Sequence, residues 1–136
     1  MRVEKAIKIR IWLLILISAT LMSIPYLIPH CGFTSLFAFV PLFYLDKLLT
    51  EYKVKRGWLY YFSLFLLFNI ATTFWIYFVS AIGSIFALLL NALQMSAIFA
   101  IFRWSRRRSK GILPYIFFIA TWISWEKIYC DIEISW

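Results

Sequence analysis

The side chains that could do chemistry in this chain are few. Glu126 lies about 21 Å along a helix counted from Ile112, within the outer half of an apolar stretch. A carboxylate at membrane depth is a functional candidate by default. Its other reading is a carboxylate paired with Lys127 or wetted at the interface. A second group is Asn69, Thr72, Thr73 and Ser80, spaced i, i+3, i+4 and i+11, which on one helix form a single polar stripe. Ser84, Asn91 and Gln94 repeat the pattern on the next segment. Two neighbouring helices thus offer amides and hydroxyls at membrane depth. They either receive a lipid headgroup or substrate, or hydrogen-bond between helices at about 1 kcal/mol a pair. The remaining reactive residues, Cys31, Cys130 and a single histidine, show no C-x-x-C or Cys/His spacing. No metal, cofactor or His-cluster site is therefore expected, and neither a Gly-rich phosphate loop nor a G-x-S-x-G serine is present.

The element that must position these groups is Gly57–Ser80, 24 residues without an ionisable side chain. As a helix it reaches roughly 36 Å, enough to cross a hydrocarbon core of about 30 Å. The spacing of apolar runs and breakers predicts five spans, at about 11–28, 33–49, 58–80, 84–102 and 112–129. The first follows a basic start (Arg2, Lys5, Lys8, Arg10) and is too long for a signal-peptide core, so it is expected to remain, ended by Pro25 and Pro29. The second contains Pro41 and is uninterrupted only over 33–45, so it must extend with Lys47 snorkelling, tilt little, or be re-entrant. Residues 46–56 and 103–110 are expected to be charged connections, 81–83 a turn, and Pro114 a first-turn residue of the fifth helix.

Composition excludes an ordinary soluble domain: 64% of the residues are hydrophobic and 21% aromatic. The expected fold is an all-α integral membrane bundle, one transmembrane domain over 1–136. Thirteen of the fourteen Lys and Arg fall in the N-terminus, 46–57 and 103–110, and none in the turns 29–32 and 81–83. That split predicts an N-in, C-out orientation. The net charge of +8 then reports orientation and contact with anionic membrane phospholipids, not nucleic acid. The run Arg103–Lys110 has neither the folded soluble platform nor the stacking aromatics that a nucleic-acid site uses.

Several ordered fragments resemble the bacterial apolipoprotein N-acyltransferases. Gly32-Phe-Thr-Ser-Leu-Phe-Ala-Phe-Val-Pro41-Leu42 is similar to a Gly-to-Val-Pro-Leu run in that family's second helix. Gly57-Trp58 and Trp75-Ile76-Tyr-Phe-Val-Ser80 resemble the start and end of its third, and Trp122 with Glu126 a Trp-x-x-x-Glu-like segment of its fifth. The resemblance implies an enzyme of the bacterial cytoplasmic membrane. Such an enzyme moves a fatty acyl chain from phospholipid to the N-terminal diacylglyceryl-cysteine of lipoprotein substrates, through a thioester on an active-site cysteine. In the family a Glu-Lys-Cys set in a nitrilase-like domain follows the membrane helices. Here the chain reaches Ile134-Ser135-Trp136 where the family has a Pro-Trp pair, so the expectation is a truncated membrane part without catalytic residues, inactive alone. Asn69, Thr73, Asn91, Gln94, Trp122 and Glu126 are the candidate polar or lipid-contacting residues. The competing reading is a stand-alone small membrane protein, a transporter subunit or structural bundle.

Overall fold

In a computed structural model, residues 2–131 are described; Ile134-Ser135-Trp136 lie outside them. The elements are α1 (Arg2–Leu27), a 3-10 turn (Gly32–Thr34), α2 (Ser35–Glu51), α3 (Trp58–Thr73), a 3-10 segment (Phe74–Phe78), α4 (Ala81–Arg108) and α5 (Leu113–Asp131). No strand occurs among the described residues. The all-α membrane expectation holds, with Glu4–Leu27, Gly32–Glu51, Trp58–Phe78 and Ala81–Arg108 each long and apolar enough to span. The fifth expected span is a helix of 19 residues with Pro114 in its first turn. Glu126 and Lys127 fall within it, and it is not among the four helices long and apolar enough to span.

Helices outrun the apolar segments that announced them. Helix α1 begins at Arg2, not near residue 11, and its basic start is helical, with Glu4 and Lys8 one turn apart at 3.4 Å. Pro25 lies inside the helix, and Ile28 N–H still donates to the Ile24 carbonyl at 2.9 Å. Helix α2 runs on to Glu51, past the uninterrupted 33–45 run, and the Lys47 side chain is exposed. Residues 81–83 are the first turn of α4, and most of the 103–110 stretch is its last turns, where a loop was expected. Arginine is a good helix former, and Arg106, Arg107 and Arg108 sit where the helix dipole favours cations. The Arg108 guanidinium also lies 4.3 Å from the centroid of the Trp104 ring, one turn back.

The chain divides into two compact units, Met1–Gln94 and Met95–Trp136. In the first, α1 packs on both α2 and α3. The buried residues of α1 (Ile11, Ile15, Ser18, Ala19, Met22) recur at helical spacing, as do Ala38, Leu42, Leu45, Asp46 and Leu49 of α2. Small residues let these two helices approach, and the Ser18 hydroxyl donates to the Ala38 carbonyl across them at 3.0 Å. Against α3, Trp12 meets Tyr60 and Tyr26 meets Phe68, edge to face at 6.0 and 5.6 Å. In the second unit Phe118 of α5 packs against both Phe99 and Phe102 of α4, at 6.1 and 5.1 Å, and Tyr115 and Trp122 extend the cluster. The opposite surfaces, such as Leu13, Leu16 and Ile17 of α1, are exposed and apolar, as lipid-facing surfaces are.

Candidate functional site

The buried face of α3 runs Tyr61, Leu64, Phe65, Phe68, Asn69, so the amide of Asn69 is placed by the same periodicity that buries the aromatics around it. Asn69 is 2% exposed. Its Nδ2 donates to the Phe65 carbonyl at 2.8 Å, and its own carbonyl accepts from the Thr73 hydroxyl at 2.5 Å. Thr72 donates to Phe68 in the same way at 2.9 Å. Much of the polar stripe is thus bonded back onto its own helix, which satisfies hydroxyls where water is absent.

Ser80 does not belong to that stripe. The α-helix gives way at Thr73 to the 3-10 segment, which turns more tightly and carries Ser80 off the face. Its hydroxyl instead accepts from the Gly83 N–H at 3.1 Å and caps α4. A Cβ at Gly83 would stand 3.1 Å from that oxygen, so glycine suits the approach. Around this junction apolar residues face outward: Phe78 and Val79 are 81% and 79% exposed, and Ile82 in the first turn of α4 77%. Trp75 and Tyr77, in the same segment, are exposed as well.

Asn91 and Gln94, about one turn apart on α4, are both partly buried. Trp122 and Glu126 make a pair in the second unit: the indole Nε1 donates to Glu126 Oε1 at 2.8 Å. Glu126 is exposed and does not take Lys127 as its partner, because Lys127 reaches Asp131 at 2.9 Å. The two cysteines are free; Cys31 is partly buried and Cys130 exposed. In the first turn it is the Cys31 carbonyl that works, accepting from both the backbone N–H and the hydroxyl of Thr34. Among the described residues no group of three or more His, Cys, Asp or Glu could hold a metal ion.

Sequence reasoning missed Asp46, which it assigned to a charged connection. It is fully buried, on the face of α2 shared by Ala38, Leu42, Leu45 and Leu49. The signal was available: Asp46 stands four residues after Leu42 and three before Leu49, in register with the apolar positions.

What the polar groups of α3 offer is hydrogen bonding on a buried apolar face, with aromatic and aliphatic surface turned outward at its end. Comparison with known protein families matches residues 18–135 to the apolipoprotein N-acyltransferase N-terminal domain. No curated protein and no solved structure matches the chain. With a family match that covers 18–135 of the 136 residues, the chain belongs to the apolipoprotein N-acyltransferase family, in its N-terminal membrane domain.

Proposed function

We propose that this chain is the membrane-embedded part of an enzyme of the bacterial cytoplasmic membrane that moves a fatty acyl chain from a phospholipid to the α-amino group of a lipoprotein's diacylglyceryl-cysteine. The observation that carries the reading is the family match over 18–135, on a chain whose helices suit a bilayer. The chain's role is then to anchor and to present apolar walls to lipid substrates, with its basic segments inside and the Cys31 turn outside. For the acyl transfer itself the family resemblance implies a Glu-Lys-Cys set in a nitrilase-like domain, to which no motif of these helices corresponds. A nucleophilic thiol needs a positioned base and an electropositive surround, and neither Cys31 nor Cys130 stands in such a sequence context.

The test is reconstitution with phospholipid and a diacylated lipopeptide, read by mass spectrometry. The 136-residue chain alone is expected to form no triacylated product, and the same chain fused to a nitrilase-like domain of the family to form it. Turnover by the chain alone that disappears in Cys130→Ala would overturn the division of labour.

A further inference from the structure

One cavity in the first unit, of about 640 Å³, lies where the start of α1 meets the loop between α2 and α3. Its volume falls within the usual range for small-molecule sites. Lys8, Lys53 and Lys55 line it, with Glu4 as the acid among them. Glu4 is engaged by Lys8 at 3.4 Å, so the lining keeps an excess of two positive charges centred on Lys53 and Lys55. The lining also includes the apolar Ile7, Ile11 and Val54, of which Ile11 is 1% exposed, whereas Lys53 and Lys55 are exposed. Two tyrosines complete it: Tyr52, and Tyr60, which Trp12 contacts edge-on. Exposed lysines beside a buried isoleucine, together with rings of the kind that favour the headgroup level, match one class of ligand.

We propose that this cavity binds the phosphate of an anionic phospholipid headgroup, with Lys53 and Lys55 as the phosphate-contacting residues. The loop that carries them is built in an unusual way. Helix α2 ends in a Schellman arrangement: Val54 N–H donates to the Leu49 carbonyl at 3.1 Å and Lys53 N–H to Thr50 at 3.2 Å. The residue at the left-handed position of that motif is Lys53, with φ 47°, where glycine is the usual occupant. A lysine there is less favourable than glycine by roughly 1–2 kcal/mol. Residues held this way cluster at functional sites, and Arg56 of the same loop, at φ 56°, is left-handed too. These bonds also occupy the last carbonyls of α2, which blunts the negative end of the helix beside the site. The net positive lining disfavours the extra ammonium of a zwitterionic headgroup, so the site selects phosphatidylglycerol over phosphatidylcholine. The inference needs only that this end of the bundle meets a membrane surface, and stands apart from the acyl-transfer reading.

The strained position supplies a clean test, since glycine removes the charge while suiting the backbone. The full chain in detergent would be given equal amounts of phosphatidylglycerol and phosphatidylcholine, and retained lipid counted by native mass spectrometry. Each lysine at an anionic surface is worth roughly fivefold in binding, so the wild-type preference for phosphatidylglycerol is expected at about tenfold or more. In Lys53→Gly/Lys55→Gln it should fall to near parity, with an unfolding midpoint no lower than wild type. Removing the same charge elsewhere, in Arg107→Gln/Lys110→Gln, should leave the preference intact. Absence of a preference in the wild type, or equal loss in both double variants, would overturn the site in favour of diffuse charge attraction. Soluble glycerol 1-phosphate that displaces the lipid at equal concentration would overturn the lipid assignment and point to a free phosphate ligand.

Discussion

Asn69 and Asp46 show how a polar residue comes to lie on a buried face. Each stands in register with apolar neighbours at helical spacing, so the helix that buries Phe65 and Phe68, or Leu42 and Leu45, carries the polar side chain in with them. For Asn69 the cost is limited by its own helix, because Nδ2 bonds the Phe65 carbonyl. The Thr72 and Thr73 hydroxyls bond backbone carbonyls of the same turn, and those bonds survive any change of the Asn69 side chain. Asn69→Ala is therefore expected to lower stability by only about 1 kcal/mol, in the range of polar contacts measured inside membranes. Unfolding in mixed micelles of increasing dodecyl sulfate measures it. A loss beyond about 3 kcal/mol would show that the amide holds helices together more strongly than such pairs do.

Among the elements, the junction of α3 and α4 carries the most consequential local structure. The α-helical pitch ends at Thr73 without a proline or glycine nearby, and the chain tightens through Phe74–Phe78 before Ser80 starts α4 anew. The Ser80 hydroxyl satisfies one of the otherwise orphan N–H groups of that start. Ser80→Ala is expected to cost about 1 kcal/mol, and Ser80→Asp to recover most of it, as N-caps do. The same micelle titration checks both; an alanine variant as stable as wild type would refute the capping role. At the other end of α4, Ser109 N–H bonds the Ser105 carbonyl, so the basic run is an orderly helix end. Under the N-in reading it faces the cytoplasm. A thiol-reactive, membrane-impermeant label added outside intact spheroplasts should then reach Cys31 and miss a cysteine introduced as Ser109→Cys. The reverse pattern would invert the orientation.

At the scale of the whole molecule, the two cysteines belong to different compact units and are free. Alkylation of the denatured protein is expected to add the same mass with and without prior reduction. Labelling that required reduction would reveal a bridge, which the N-in reading permits by placing both thiols on the oxidising side. Much of the architecture was legible beforehand, since apolar runs separated by charged or proline-containing segments already mark five helices in order. Gly57 next to Trp58 marks the start of α3 to the residue. The ordered family fragments also pointed to the family that residues 18–135 match. Helix limits were not legible in the same way. Hydropathy reports which residues suit lipid, whereas backbone hydrogen bonding continues through Lys8, Glu51 and Arg108 as readily as through leucine. By itself, then, the sequence determined that the chain is helical, suited to a membrane and of this family, because composition and short motifs are local properties. Only the tertiary structure decided that α1 packs on both α2 and α3, that the Ser18 hydroxyl takes the Ala38 carbonyl, and that Lys8 and Lys53 line one cavity. Each of these depends on where a helix ends or which face it turns inward, and that is settled by packing between segments distant in the chain.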